Sequence, residues 1–174
     1  IGQALVRRAA AFDMRVCAVR RQAQTETPDG VSFVGGPERL DEVLRQADYL
    51  AVTLSLSSAT RNLIDDRRVR LLKPTAFVIN VARAEIFDEA ALYTALAEGR
   101  IAGAALDVWY RYPTSADPTP PATHPFHELD NVMMTPHVSG WTEGMLEARA
   151  SLIADNIARI ARDEPPVNAI DPRV

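Results

Sequence analysis

The side chains best suited to chemistry in this chain follow short apolar runs. Arg83 closes Asn80-Val81-Ala82-Arg83, Asp107 lies in Gly103-Ala104-Ala105-Leu106-Asp107-Val108-Trp109, and His137 lies in Thr135-Pro136-His137-Val138-Ser139-Gly140. Arginine presents a planar fork of donors that can grip a carboxylate and polarise a carbonyl, where lysine offers only a point charge. Histidine gives or takes a proton near neutral pH. Each motif alone also fits an ordinary structural role, an ion-paired arginine or a proline–histidine turn. Cys17, the single cysteine, can form neither an intrachain disulfide nor a metal site by itself. Inside an apolar run it is expected as a buried, inert thiol, in keeping with a reducing cytoplasm, and no metal site is expected. His124 and His127 lie in a proline-rich stretch and are expected at the surface.

These residues need a scaffold that sets several loops side by side. Apolar spacings of four, four and three over residues 1–12 (Ile1, Leu5, Ala9, Phe12) predict a helix, as do Leu40, Val43, Leu44 and Ala47. Asp65-Asp66 can cap a helix running to Leu72, where Lys73-Pro74 stops it. Asp88 opens another, with Ala91, Leu92, Ala95 and Leu96 on one face and Gly99 to end it. The clearest helix follows Thr142 and carries Leu146, Ala150, Ile153, Ile157 and Ile160 in steps of four, three, four and three. Strand-like runs lie at 15–19, 31–34, 49–54, 76–79, 101–108 and 132–135. Strand and helix alternating in this way predict an α/β fold with parallel strands, whose ligands sit at the carboxyl ends of the strands. The site is therefore sought in Arg20-Arg21 and in the loops at 54–58, 80–85, 107–112 and 135–140. The stretch 110–130, proline-rich and without periodicity, reads as a long surface loop.

The 174 residues are 47% hydrophobic and 24% charged, with a formal net charge of −4, which suits a globular domain with a sizeable core. Basic residues number 19 against 23 acidic ones and form no long run, which argues against nucleic acid as a partner. No apolar stretch approaches the length needed to span a bilayer, so no membrane partner is expected.

In order and spacing, with Leu71-Leu72-Lys73-Pro74 just upstream, the three motifs resemble the D-isomer-specific 2-hydroxyacid dehydrogenases, over nearly the whole chain. The resemblance implies a Rossmann-like doubly wound parallel sheet. It also implies hydride transfer between NAD(P)(H) and a small 2-hydroxy or 2-oxo acid. Arg83 matches the family's catalytic arginine, which holds the substrate carboxylate and polarises the carbonyl, and His137 matches the histidine that protonates the developing alkoxide. Asp107 matches the residue that holds the nicotinamide carboxamide, and Leu54, Val81, Ala82 and Gly140 fall on cofactor-binding loops. A homodimer in the cytoplasm is implied as well. Two other functions share these residues: an NAD(H)-sensing, corepressor-like binding protein of the same fold, and a catalytically decayed member.

One departure from the family pattern bears on the chemistry. Most members carry a glutamate five residues after the aspartate, paired with the histidine, and here that position is Tyr112. A carboxylate stabilises imidazolium, whereas a phenol donates or accepts a hydrogen bond and supplies no charge. Tyr112 therefore joins Arg83 and His137 in the expected catalytic set, orienting His137. After Arg83 the family often has Gly-Gly. This chain has Ala84-Glu85, which requires a negative φ at the alanine and brings a negative charge near the arginine.

A dinucleotide-binding fold opens with a strand and Gly-x-Gly-x-x-Gly, so that the first helix turns its amides to the pyrophosphate. Only Gly2 of that pattern is present, with no strand before it. The chain is therefore expected to begin inside a domain, with residues 1–141 a partial NAD(P)-binding domain lacking its first strand. Residues 142–174 are expected to form a helix and tail that would pack on an absent substrate domain. About 20 residues past the glycines, NAD-binding folds carry an acid for the ribose hydroxyl. Arg20-Arg21 stand there instead, which favours the 2′-phosphate of NADP over NAD. Without its central strand the chain by itself is expected to be neither stable nor active.

Overall fold

Apolar runs and amphipathic stretches alternate as parallel strands and helices in a computed structural model, which describes residues 1–21, 27–116 and 118–170. The order is α1 (Gly2–Ala10), β1 (Cys17–Val19), β2 (Phe33–Gly35), α2 (Leu40–Gln46), β3 (Tyr49–Val52), α3 (Asp66–Val69), β4 (Phe77–Asn80), α4 (Glu89–Ala97), β5 (Gly103–Leu106), β6 (Val132–Met134) and α5 (Met145–Ala161). Single 3₁₀ turns occupy Pro37–Arg39, Ala84–Ile86 and Phe126–Glu128. Two compact units result, Ile1–His137 and Val138–Val174.

In the first unit every strand pair is parallel, but the strands form two sheets, β1-β2 and β3-β4-β5-β6. In the doubly wound order the first strand lies between the strands that correspond to β1 and β3, and the break falls there. The core gathers Leu44, Val78, Ile86, Phe87, Leu92, Leu96 and Ile101, all nearly or fully buried, with Val19 of β1 packed against them. Asp65 Oδ1 accepts from the Arg68 amide at 2.9 Å and Asp88 Oδ1 from the Ala91 amide at 2.9 Å, so both expected caps form. Gly99 ends α4 in the left-handed region at φ +64°.

Four expectations need correcting. The helix after Asp65 does not reach Leu72. It closes after one turn, because the Leu71 and Leu72 amides bond three residues back, to the Arg68 and Val69 carbonyls. The proline-rich stretch is no simple surface loop, since Ala122 and Phe126 are buried and Phe126 meets Tyr93 and Trp109 edge-on. Glu89, in the first turn of α4, ties this stretch down: its Oε1 accepts from the His124 amide at 2.9 Å and from the Thr123 amide. The His124 ring is half-buried against Tyr93, with Nδ1 3.3 Å from the same oxygen, while His127 is exposed. Cys17 is half-buried in β1 rather than buried.

In the second unit Gly144 takes φ +76° as the N-cap of α5, and the tail folds back through Asn156, whose side chain pairs with the Val167 backbone at 2.7 and 3.2 Å. Leu146, Ile153, Ile157 and Ile160 are exposed along α5. Among the described residues no helix is long and apolar enough to cross a membrane.

Candidate active site

Parallel pairing turns the carboxyl ends of β4, β5 and β6 to one edge of the sheet, so the loops bearing Arg83, Asp107 and His137 are neighbours. Asn80, the last residue of β4, is 2% exposed and shapes the first of these loops. Its Oδ1 accepts from the Ala82 amide at 3.0 Å and its Nδ2 donates to the Arg83 carbonyl at 3.0 Å. A buried amide satisfied at both ends fixes the turn that presents Arg83. The guanidinium is exposed, donates to the Ala82 carbonyl at 2.6 Å, and has no carboxylate partner among the described residues. Ala84 is not among the positive-φ residues, as the Ala-for-Gly replacement required. Glu85 faces Arg61, 3.9 Å away.

The next loop begins at Asp107, 3% exposed, whose amide donates to the Asn80 carbonyl at 3.1 Å. Thr135, just past β6, donates its hydroxyl to Asp107 Oδ1 at 2.6 Å. Trp109, also buried, links both loops: the indole Nε1 donates to the Thr135 carbonyl at 2.9 Å and the backbone amide donates to Tyr112 Oη at 3.1 Å. Tyr112 Oη lies 2.8 Å from His137 Nδ1, the rings tilted by 39°. His137 itself holds φ +58°, a region few non-glycine residues adopt, which marks a position set by its surroundings. Tyr110 behaves differently from Tyr112: burial pushes its phenol well above the ordinary tyrosine range, and its hydroxyl donates to the Phe87 carbonyl at 3.3 Å.

The structure thus joins Asp107, Tyr112 and His137 through hydrogen bonds and sets Arg83 on the adjoining loop, with Val81 and the buried Ala82 in the same turn. Gly2, at the start of α1, lies beside the end of β3: a Cβ there would stand 3.3 Å from Thr53 Oγ1, next to Leu54. Arg20 and Arg21, both exposed, follow β1 in the smaller sheet. Gly140 belongs to the second unit. Asn80, Trp109 and Thr135 lie within the three motifs, but their spacing alone assigns them no role. Polar residues ending apolar runs were the available signal, since a buried polar group needs partners.

Residues 1–139 match the family model described as D-isomer specific 2-hydroxyacid dehydrogenase, NAD binding domain. The chain belongs to this family. A glyoxylate reductase of Pyrococcus furiosus is 36% identical over 176 residues, covering all of this chain and 49% of its own length. A D-isomer specific 2-hydroxyacid dehydrogenase of Xanthobacter autotrophicus Py2, solved with NADPH and MES, has a TM-score of 0.74 at 29% identity, covering 97% of this chain and 80% of that one. D-lactate dehydrogenase of Lactobacillus jensenii, solved with NAD+, has a TM-score of 0.84 at 25% identity, covering 98% and 52%. The chain spans about half the length of the curated relatives it matches. Its residues fit a nicotinamide dinucleotide: a glycine where a side chain would crowd Thr53, helix amides beside it, and a buried carboxylate at the end of β5.

Proposed function

We propose that the protein bearing this D-2-hydroxyacid dehydrogenase domain transfers a hydride between NAD(P)(H) and a small 2-oxo or 2-hydroxy acid. The observation that carries it is the continuous network from Asn80 through Asp107, Thr135 and Trp109 to Tyr112 and His137, with an exposed, carboxylate-free Arg83 beside it. The bound nicotinamide supplies or accepts the hydride. Arg83 binds the substrate carboxylate through its donor fork and polarises the oxo group. His137 gives a proton to the substrate oxygen from Nε2 during reduction, and Asp107 accepts a hydrogen bond from the nicotinamide carboxamide. Gly2 leaves room for the pyrophosphate at the start of α1, lined further by Leu54, Val81 and Ala82. Arg20 and Arg21 select NADP by pairing with its 2′-phosphate. The working form is a cytoplasmic homodimer.

A panel of 2-oxo acids beginning with glyoxylate, offered with NADPH and NADH, tests this. Turnover is expected, falling by roughly 10²-fold or more in Arg83→Ala and in His137→Asn. Cofactor-dependent dimerisation without turnover would instead favour a cofactor-sensing binding protein. Equal affinity for the two cofactors at low salt would overturn the NADP preference.

A further inference from the structure

The environment of Tyr112 specifies which nitrogen of His137 carries the proton. Oη has one hydrogen and two lone pairs. The Trp109 amide, 3.1 Å away, can only donate, so it occupies one lone pair. The 2.8 Å contact to His137 Nδ1 then has two arrangements. If Nδ1 carries the hydrogen, the second lone pair is used and the phenolic hydrogen has no described partner. If Nδ1 is bare, the phenol donates to it and every group is used once. No charged residue competes, because the histidine ion pairs among the described residues involve His124 and His127 only. Trp109 is rigidly placed, 6% exposed and anchored through Nε1 to the Thr135 carbonyl, two residues before His137.

We infer that Tyr112 is a positioning residue that donates to His137 Nδ1 and holds the neutral imidazole in its Nε2–H tautomer, a conclusion that rests on the dehydrogenase reading for its consequence. A glutamate at this position would only accept and would select the opposite tautomer, with a bare Nε2. With Tyr112, His137 offers the substrate oxygen a hydrogen whether the ring is charged or neutral. Reduction is therefore supported on both sides of the imidazole titration, whereas oxidation of a hydroxyl, which needs a bare Nε2, is disfavoured. The step balances. As the hydride from the reduced nicotinamide reaches the oxo carbon, the carbonyl electron pair on oxygen takes the Nε2 proton. Nδ1 takes the Oη proton, the ring stays neutral, and the bonding pair remains on Oη as a phenolate held by the Trp109 amide. Tyr112 is 49% exposed, so water restores its proton.

Nitrogen-15 NMR of the full chain reads the tautomer directly, and with three histidines in these 174 residues a His137→Asn sample assigns the signal. The neutral ring is expected as Nε2–H in the native protein, as a tautomer mixture in Tyr112→Phe and as Nδ1–H in Tyr112→Glu. Reductive turnover is expected to persist above the imidazole titration in the native protein and to fall with it in Tyr112→Glu. Tyr112→Phe should lose roughly tenfold in kcat with little change in KM. An Nδ1–H ring in the native protein overturns the inference without any variant, as does an unchanged tautomer in both variants. Absence of turnover with an Nε2–H ring would instead sink the dehydrogenase reading and leave the tautomer assignment standing.

Discussion

Asn80 concentrates much of the site's precision in one side chain. Both ends of its amide are used, accepting from Ala82 and donating to the Arg83 carbonyl, at a position almost closed to solvent. Replacing it with aspartate keeps the acceptor but sets a second oxygen against the Arg83 carbonyl. Asn80→Asp is therefore expected to lower the denaturant midpoint, by an amount equivalent to about 1–3 kcal/mol, and to reduce turnover through misplacement of Arg83. An unchanged midpoint and unchanged kcat would show that the turn is set by other means. At this scale the sequence was partly legible. The placement of Arg83, Asp107 and His137 beyond strand ends was readable because their motifs follow apolar runs in a fixed order, and the nearness of Tyr112 to His137 because Tyr112 stands where the family carries an acid. The roles of Asn80 and Trp109 were not readable, since they arise from contacts between loops brought together by sheet pairing.

Elements are joined by polar ties as well as by the core. Asp41 in α2 accepts from Arg67 Nη1 and Nη2 and from Arg68 Nε, the two arginines lying in α3, and Arg68 Nη1 also reaches the Leu63 carbonyl at 2.8 Å. The hydrogen bond from Arg67, then that from Arg68, holds the Asp41 carboxyl well below its ordinary value of 3.8. A carboxyl depressed in the folded state stabilises the fold fully above that ordinary value, and the contribution fades as acid protonates it below. Asp41→Asn is accordingly expected to lower Tm at pH 7, modestly because the pair is solvent-screened, with the difference closing as pH falls below 3.8. A Tm difference that stayed constant into acid would assign the effect to packing instead. The proline-rich stretch makes the same point about legibility: a sequence without periodicity looked like loop, yet Glu89 on α4 and the buried Phe126 give it a defined place. The Arg111 amide donates to the Pro121 carbonyl at 2.9 Å, so that placement reaches the residue beside Tyr112.

Across the whole molecule, the two sheets leave β1 and β3 each with an edge unpaired among the described residues. Edges of this kind cost stability and invite strand addition between chains. Expressed by themselves, the 174 residues are expected to unfold with weak cooperativity at low denaturant and to associate as concentration rises. A sharp, concentration-independent transition would overturn that expectation. The exposed apolar stripe of α5 belongs to the same picture, a face the sequence pattern predicted and the second unit does not cover. By itself the sequence determined the α/β alternation, the helix caps at Asp65 and Asp88, and the loops that follow the strands. Hydrophobic period and capping chemistry are local properties, carried by residues a few positions apart. Only the tertiary structure decided that the sheet divides between β1 and β3, that Glu89 anchors Thr123 and His124 from more than thirty residues away, and that Tyr112 meets His137 at 2.8 Å. Those outcomes depend on strand pairing and on the partners that buried and half-buried polar atoms find, which bring together groups that no local pattern connects.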